Sequence, residues 1–441
     1  MNRYTRIAAL ATLGLFGTLG FMAEAQSKKV VFLSIYNADA GFTGVIAKLA
    51  ADYNKKNGNV TFESQYQPLA ELGQKLQLLA ASDSLPTMYN VGEPSLLIQL
   101  AEKGQAADIE ALFKKIGIYD KLNPAAVALQ KSVHGGKLLG LPLELNIEGI
   151  WYNKKLFKDN GIKEPTTWDA MMAAAAKFKA AGIQPFSASG QEKWPLTRLI
   201  NGYVARKYGA DAMARVAKGT LKVTDAGFVE AARAVQDMNL KGYFGAGVNT
   251  LDYNSAIDVF LQGKAAMFYM GSWVLGSMND PKQNKIGVEN IGFFNFPNVK
   301  GGKGSRNEWS LNTGAATALN PKQEDEALDD WLKSVFSSYG DRAMAENGQI
   351  SGFKVSKLPA NLSSLTKTTL KKLASAKNAY LWFEAKFSPK ASAVASDNVQ
   401  LLVSGGMTTN LESDQPRAPS IRAASMISSG ISTKPANSST A

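Results

Sequence analysis

Cysteine is absent from this sequence, and histidine occurs once. The first absence excludes disulfides, thiolate metal sites, cysteine nucleophiles and lipid attachment through a cysteine. The second leaves His134 as the one imidazole, too little for a His-rich metal centre. After the N-terminal stretch, no apolar run reaches the roughly 20 residues that a membrane-spanning helix needs. A phosphate cradle is missing too: Gly301-Gly302-Lys303-Gly304 lacks the required spacing and reads as a mobile loop. What these absences leave favours binding over catalysis, and no metal or cofactor is implied.

The 441 residues suffice for two or three domains at roughly 150 residues each. A hydrophobic share of 45% and a charged share of 20% describe an ordinary globular chain. The 49 basic and 37 acidic residues give a net charge of +12. Of the basic residues 39 are lysines, scattered along faces expected to be exposed. Nucleic-acid readers cluster arginine, whose planar fork matches phosphate. The charge therefore reads as a solvated surface, and no nucleic-acid partner is expected.

The two ends differ from the middle. Arg3 and Arg6 precede an uncharged, mostly apolar stretch from Ile7 to Ala23, and Ala23-Glu24-Ala25 supplies small residues for cleavage. Residues 1–25 thus read as a secretory signal peptide. An exported chain with no cysteine to carry a lipid needs an outer membrane to stay near the cell, which points to the periplasm, with free secretion as the alternative. At the other end, Thr409–Ala441 holds 17 Ser, Thr, Asn, Pro or Gly among 33 residues and shows no helical stripe. It reads as a polar, disordered tail. A change of reading frame near Thr408 is one origin for such a tail, a natural polar extension the other.

Between these ends, strands and helices alternate. Lys29–Ile35 is an apolar run of strand length. Val45, Ile46, Leu49 and Tyr53 recur at helical spacing, and Gly58 ends that helix. Val60, Phe62, Ser64 and Tyr66 alternate as in a half-buried strand. Leu69, Leu72, Leu76 and Leu79 form a second helical stripe, and Met88–Val91 a further strand. Thr166-Thr167-Trp168-Asp169 starts a helix that Gly182 stops, with more helical patterns over Leu196–Tyr208, Phe228–Leu240 and Asn254–Leu261. This order implies α/β layers with parallel strands. The extended runs Leu141–Ile150 and Ile291–Pro297 suit a chain that crosses between two lobes with ligand in the cleft.

Four segments in order resemble the extracellular solute-binding proteins of sugar ABC transporters, the broad family of the maltodextrin-binding proteins. They are Gly136–Pro142 with Gly149–Lys154, then Pro165–Asp169, then Phe260–Met267 with Gly271-Ser272-Trp273, then Ile291–Pro297. The resemblance covers about residues 29–408. It implies a two-lobed fold, each lobe a mixed, mainly parallel sheet flanked by helices, joined by several hinge crossovers. It places residues 26–143 and 294–349 in the N-terminal lobe, and 144–293 and 350–408 in the C-terminal lobe. It implies a monomer that takes a mono- or oligosaccharide in the interlobe cleft and delivers it to permease subunits in the inner membrane.

A sugar offers hydroxyls at its edges and C–H groups on its ring faces, so its binder needs aromatic platforms beside amides, carboxylates and arginine. The resemblance implies such contacts from Tyr36 and Asn37, from Gln67, from Tyr89 and Glu93, and from Asn146 in the first crossover. It adds Gln191, Trp194 and Arg198 from Gly190–Arg198, then Trp273, Trp309 and Phe353. Trp151 and Trp168 are expected in the core, and Trp273, following Gly271-Ser272 at a turn, on the ligand. His134 is expected to be a solvated turn residue, and the acids around Glu324–Asp330 a solvated helical face. Two rival readings remain. A secreted glycoside hydrolase would need two carboxyls roughly 5–10 Å apart across a cleft, for which Glu93, Glu144 and Glu148 are candidates. A binder of another solute, such as a polyol, peptide or glycerol phosphate, is the other.

Overall fold

The computed structural model describes residues 27–407 except Lys377. The expected signal peptide and polar tail lie outside these residues. Ten strands occur among the described residues: β1 (Lys28–Ser34), β2 (Val60–Tyr66), β3 (Met88–Val91), β4 (Asn146–Asn153), β5 (Gln184–Ser187), β6 (Ala265–Gly271), β7 (Ile291–Phe294), β8 (Glu308–Asn312), β9 (Ala316–Leu319) and β10 (Asn378–Tyr380). They form two sheets, ordered β2-β1-β3-β9 and β10-β8-β4-β6-β5, with β7 paired to β4 beside β8. Helices flank both.

In the first sheet β1 runs parallel to β2 and β3, and only β9 is antiparallel. Side chains alternate across it as a pleated strand requires. Val30 and Phe32 face a core with Phe42, Phe113, Trp331 and Phe336, while Leu33 faces Leu72, Leu76 and Leu97. The helix Gly41–Asn57 ends at Gly58, whose φ of 67° lets its N–H reach Asn54 O.

The second sheet departs from the mainly parallel expectation. Its central strand β4 is antiparallel to β6, β7 and β8, and parallel pairs remain only at β5–β6 and β8–β10. Parallel neighbours need a crossover connection, usually a helix. β4 enters this sheet straight from the first crossover, so nothing binds it to the parallel direction. Trp151 on β4 is fully buried, stacks on Phe293 at 4.0 Å and donates its indole N–H to Met270 O at 2.9 Å. Trp168 is also core, stacked on Phe296, and Thr167 caps its helix by accepting from Ala170 N.

Two segments sit elsewhere than the expected lobe boundaries put them. The expected boundary puts residues 294–349 in the N-terminal lobe, yet Phe294 on β7 pairs with β4 in the second sheet, and β8 pairs there with β4 and β10. The chain then returns to the first sheet by β9, within Thr313–Ala315. Phe353, assigned to the C-terminal lobe, packs in the first-sheet core against Phe336 at 5.6 Å and Tyr339 at 5.1 Å.

Two loop expectations also change. Gly301–Gly304 is not a free loop: Lys303 N donates to Lys207 O and Gly304 N to Arg206 O. These bonds satisfy carbonyls left open at the end of the helix Trp194–Tyr208. A Cβ on Gly304 would lie 2.2 Å from Ala205 O, so only glycine seats here. His134 is buried rather than solvated, at 2% exposure, because the segment around Trp382 and Lys386 covers the end of its helix Pro124–Val133. That burial, with the Lys386 charge nearby, lowers the imidazole pKa to about 4.

Trp151→Ala removes a stacked, hydrogen-bonded ring from the strand that holds the second sheet together. We expect a loss of roughly 3–5 kcal/mol in unfolding free energy, read from urea denaturation. A loss below about 1 kcal/mol would show that β4 does not depend on this ring.

Candidate functional site

The ends of the parallel strands open on one cleft of about 420 Å³, within the range of small-molecule sites. The chain leaves β1 at Tyr36, β2 at Tyr66 and β3 at Glu93, and all three line it. Ligands of open α/β sheets sit beyond the carboxyl ends of the strands for this reason. The opposite wall comes from elements of the second sheet: Trp194 and Arg198 on the helix Trp194–Tyr208, Tyr253, Trp273 after β6, and Trp382 and Glu384 after β10. Glu144, Asn312 and Gly314 line the floor, where the chain passes between sheets.

The aromatic rings of the far wall touch one another. Trp194 meets Trp273 edge to face at 5.7 Å and Tyr253 at 6.3 Å. The Arg198 guanidinium lies 5.6 Å from the Trp194 ring and 5.5 Å from the Trp382 ring. Its Nη1 donates to Glu384 at 3.2 Å, and its Nε lies 3.3 Å from Glu148. Arginine stacks on aromatic faces while its edge meets carboxylates, and Arg198 does both.

Beneath the floor runs a continuous polar network. Tyr36 OH donates to Glu144 Oε1 at 3.0 Å, and Asn146 Nδ2 to Glu144 Oε2 at 2.7 Å. Ser272 Oγ donates to Asn146 Oδ1 at 3.1 Å. Asn312 Nδ2 donates to Glu148 Oε1 at 2.6 Å, and Tyr269 OH to Glu148 Oε2 at 3.1 Å. Burial pushes the Glu144 carboxyl up to about 7, against the pull of the Asn146 and Tyr36 hydrogen bonds.

Five of the expected contact residues line the cleft: Tyr36, Glu93, Trp194, Arg198 and Trp273. Trp273 is half-buried rather than exposed, held by two cores. Asn146 is fully buried behind the floor and reaches the cleft only through Glu144 and Asn312. Asn37, Gln67 and Gln191 lie outside the lining. Asn37 and Gln191 are exposed, and the Gln67 amide turns to Glu71 at 2.9 Å.

Three aromatic assignments are corrected by burial. Tyr89 is fully buried, since β3 points it away from the strand end, and its hydroxyl donates to Gln105 O at 2.6 Å. Trp309 packs against Phe293 at 5.5 Å inside the second-sheet core, because β8 joins that sheet. Phe353 belongs to the first-sheet core. The cleft residues missed from sequence include Tyr253, Trp382, Glu384 and Glu192. The aromatic–acid pair Trp382 and Glu384, in a Lys-rich stretch after a short strand, was the available signal.

The sequence pattern of the family described as "Bacterial extracellular solute-binding protein" matches residues 39–338. A "Multiple sugar-binding protein" of Streptococcus mutans is 27% identical over 325 residues, 69% of this chain and 72% of its own. A "Probable sugar-binding periplasmic protein" of Brucella melitensis is 25% identical over 313 residues, 68% of this chain and 71% of its own. Among solved structures, a chitin oligosaccharide binding protein superposes with a TM-score of 0.77 at 26% identity, covering 87% of this chain and 95% of that one. A maltose-bound T. maritima MalE3 shares the fold at a TM-score of 0.70 and 18% identity, over 87% of this chain and 96% of that one.

The Glu144 shift has a pH consequence. Its pKa rises on folding from 4.5 to about 7, so between those values the folded protein keeps a proton that the unfolded chain has lost. Stability therefore falls as pH rises through that window, by roughly 3 kcal/mol from this group. Glu144→Gln should remove most of that decline when urea unfolding is compared at both ends of the window. An unchanged slope would assign the decline to other groups.

Proposed function

Because this chain belongs to the bacterial extracellular solute-binding proteins, we propose that it captures a sugar in the cleft between its sheets and delivers it to the permease of an ABC importer. The observation that carries this reading is the wall of Trp194, Tyr253, Trp273 and Trp382 around Arg198 and Glu384. Rings cover the faces of a pyranose, and the charged groups beside them meet its hydroxyls in fixed directions. Relatives whose names declare sugar binding support the same ligand class.

The two sheets with their helices are the two lobes of this reading. The segment leading into β4 and the Thr313–Ala315 segment between β8 and β9 are two of the connections that turn between them. A ligand touching both walls binds the closed form better than the open one, and that difference drives closure. The closed shape is what the permease reads. The protein acts as a periplasmic monomer and breaks no bond of its ligand. Of the carboxyls open to a hydrolase reading, Glu148 lies behind the wall, held by Asn312 and Tyr269.

Titration calorimetry against a panel of neutral mono- and oligosaccharides tests the proposal. One or more should bind, and Trp194→Ala and Trp273→Ala should each weaken that sugar by about tenfold or more. Affinity unchanged in both variants would remove this wall from the binding site.

A further inference from the structure

The cleft is acidic in a basic protein. Its lining holds Glu93, Glu144, Glu192, Glu384 and Asp397 against Lys193 and Arg198, although the chain carries +12. Both cations are engaged already. Lys193 Nζ lies 2.6 Å from Asp397, and Arg198 serves Glu384 at 3.2 Å and Glu148 at 3.3 Å. Taken pair by pair, this leaves Glu93, Glu144 and Glu192 with no ion-pair partner among the described residues. Glu384 Oε1 is itself buried without a hydrogen-bond partner.

The carboxylates also crowd one another. Burial raises the Glu93 pKa, and the Glu384 charge adds to it. Burial raises that of Glu192 as well, helped by Asp252 and Glu71. Like charges in a partly desolvated wall destabilise their ionised forms until something positive arrives. A sugar hydroxyl can donate to such a carboxylate but brings no charge. An ammonium group donates and neutralises at once, and the faces of Trp194, Trp273 and Trp382 attract it as well. A phosphate or carboxylate ligand would meet three acids without ion-pair partners and, among the described lining residues, no free cation.

We infer that the cleft selects amino sugars, saccharides that carry an ammonium group where common sugars carry a hydroxyl or an acetamide. This rests on the sugar-binding reading above and narrows its substrate class. The sign of the wall decides it: the aromatic platforms accept any pyranose, and the unpaired Glu93 and Glu192 reward the charged one.

Oligomers of glucosamine, N-acetylglucosamine and glucose, of one linkage and length, differ at a single ring substituent: ammonium, acetamide or hydroxyl. Titration calorimetry with the three, at a pH where the amine is protonated, should give the glucosamine oligomer an affinity about tenfold or more above the glucose one. That ratio should shrink as salt is added, as charge attraction does. In Glu93→Gln/Glu192→Gln, two near-isosteric changes, the ratio should fall towards one. Glucosamine binding no better than glucose, or a ratio indifferent to the double substitution, overturns the inference. If a neutral sugar from this series or the wider panel binds while glucosamine does not, sugar binding stands and the amino-sugar class falls. If no saccharide binds, the sugar reading itself falls, and the inference with it.

Discussion

Two buried carboxylates, Glu144 and Glu148, stand where the chain passes between its two sheets, and the site depends on how each is accommodated. Burying a charge is costly unless it is paired or fully hydrogen-bonded. Glu148 is met by Asn312, Tyr269 and the Arg198 guanidinium. Glu144 has only neutral donors, Tyr36 and Asn146, and answers by holding its proton more tightly. Asn146 and Asn312 join the two acids into one network, so β4 and β8 are locked in register by polar groups as well as by the ladder.

The cleft is built outward from that network. Glu144 and Asn312 form its floor, and the hydroxyl of Tyr36 brings the first sheet down onto it. Arg198, reaching from Glu148, draws Glu384 and the faces of Trp194 and Trp382 to the same place. The segment after β10 is further tied to the first-sheet side, where the Lys386 ammonium meets Ser132 O at a helix C-terminus and Trp382 packs on Val133. Apart from Glu384 Oε1, polar groups that would be a liability apart meet partners here, which couples the wall into one unit.

Local signals in the sequence carried much of this. Helical stripes, the Gly58 stop and the Thr167 cap marked elements correctly because each depends on neighbours a few residues away. The strand-end residues Tyr36 and Glu93 and the turn residue Trp273 reached the cleft for the same local reason. What failed was decided by distant segments. Tyr89, Trp309 and Phe353 are aromatic, as platforms should be, but the partner chosen by each strand or loop buries them in cores. β8 and β9 are three residues apart and belong to different sheets, a choice no periodicity records. His134 looked like a turn residue until a segment some 250 positions later covered it.

The placement of β9 reaches beyond the folded state. The first sheet is closed at its β3 edge by a strand that begins 225 residues after Val91, at Ala316. At roughly 5–20 residues per second, a ribosome needs some ten to forty-five seconds to make that stretch. Through that interval β3 presents an open, apolar edge of the kind that invites aggregation. Early completion of the N-terminal half therefore brings no protection. A holdase, or a route that keeps the chain unfolded until β9 has arrived, would cover that edge, and thread-like passage across a membrane is one such route.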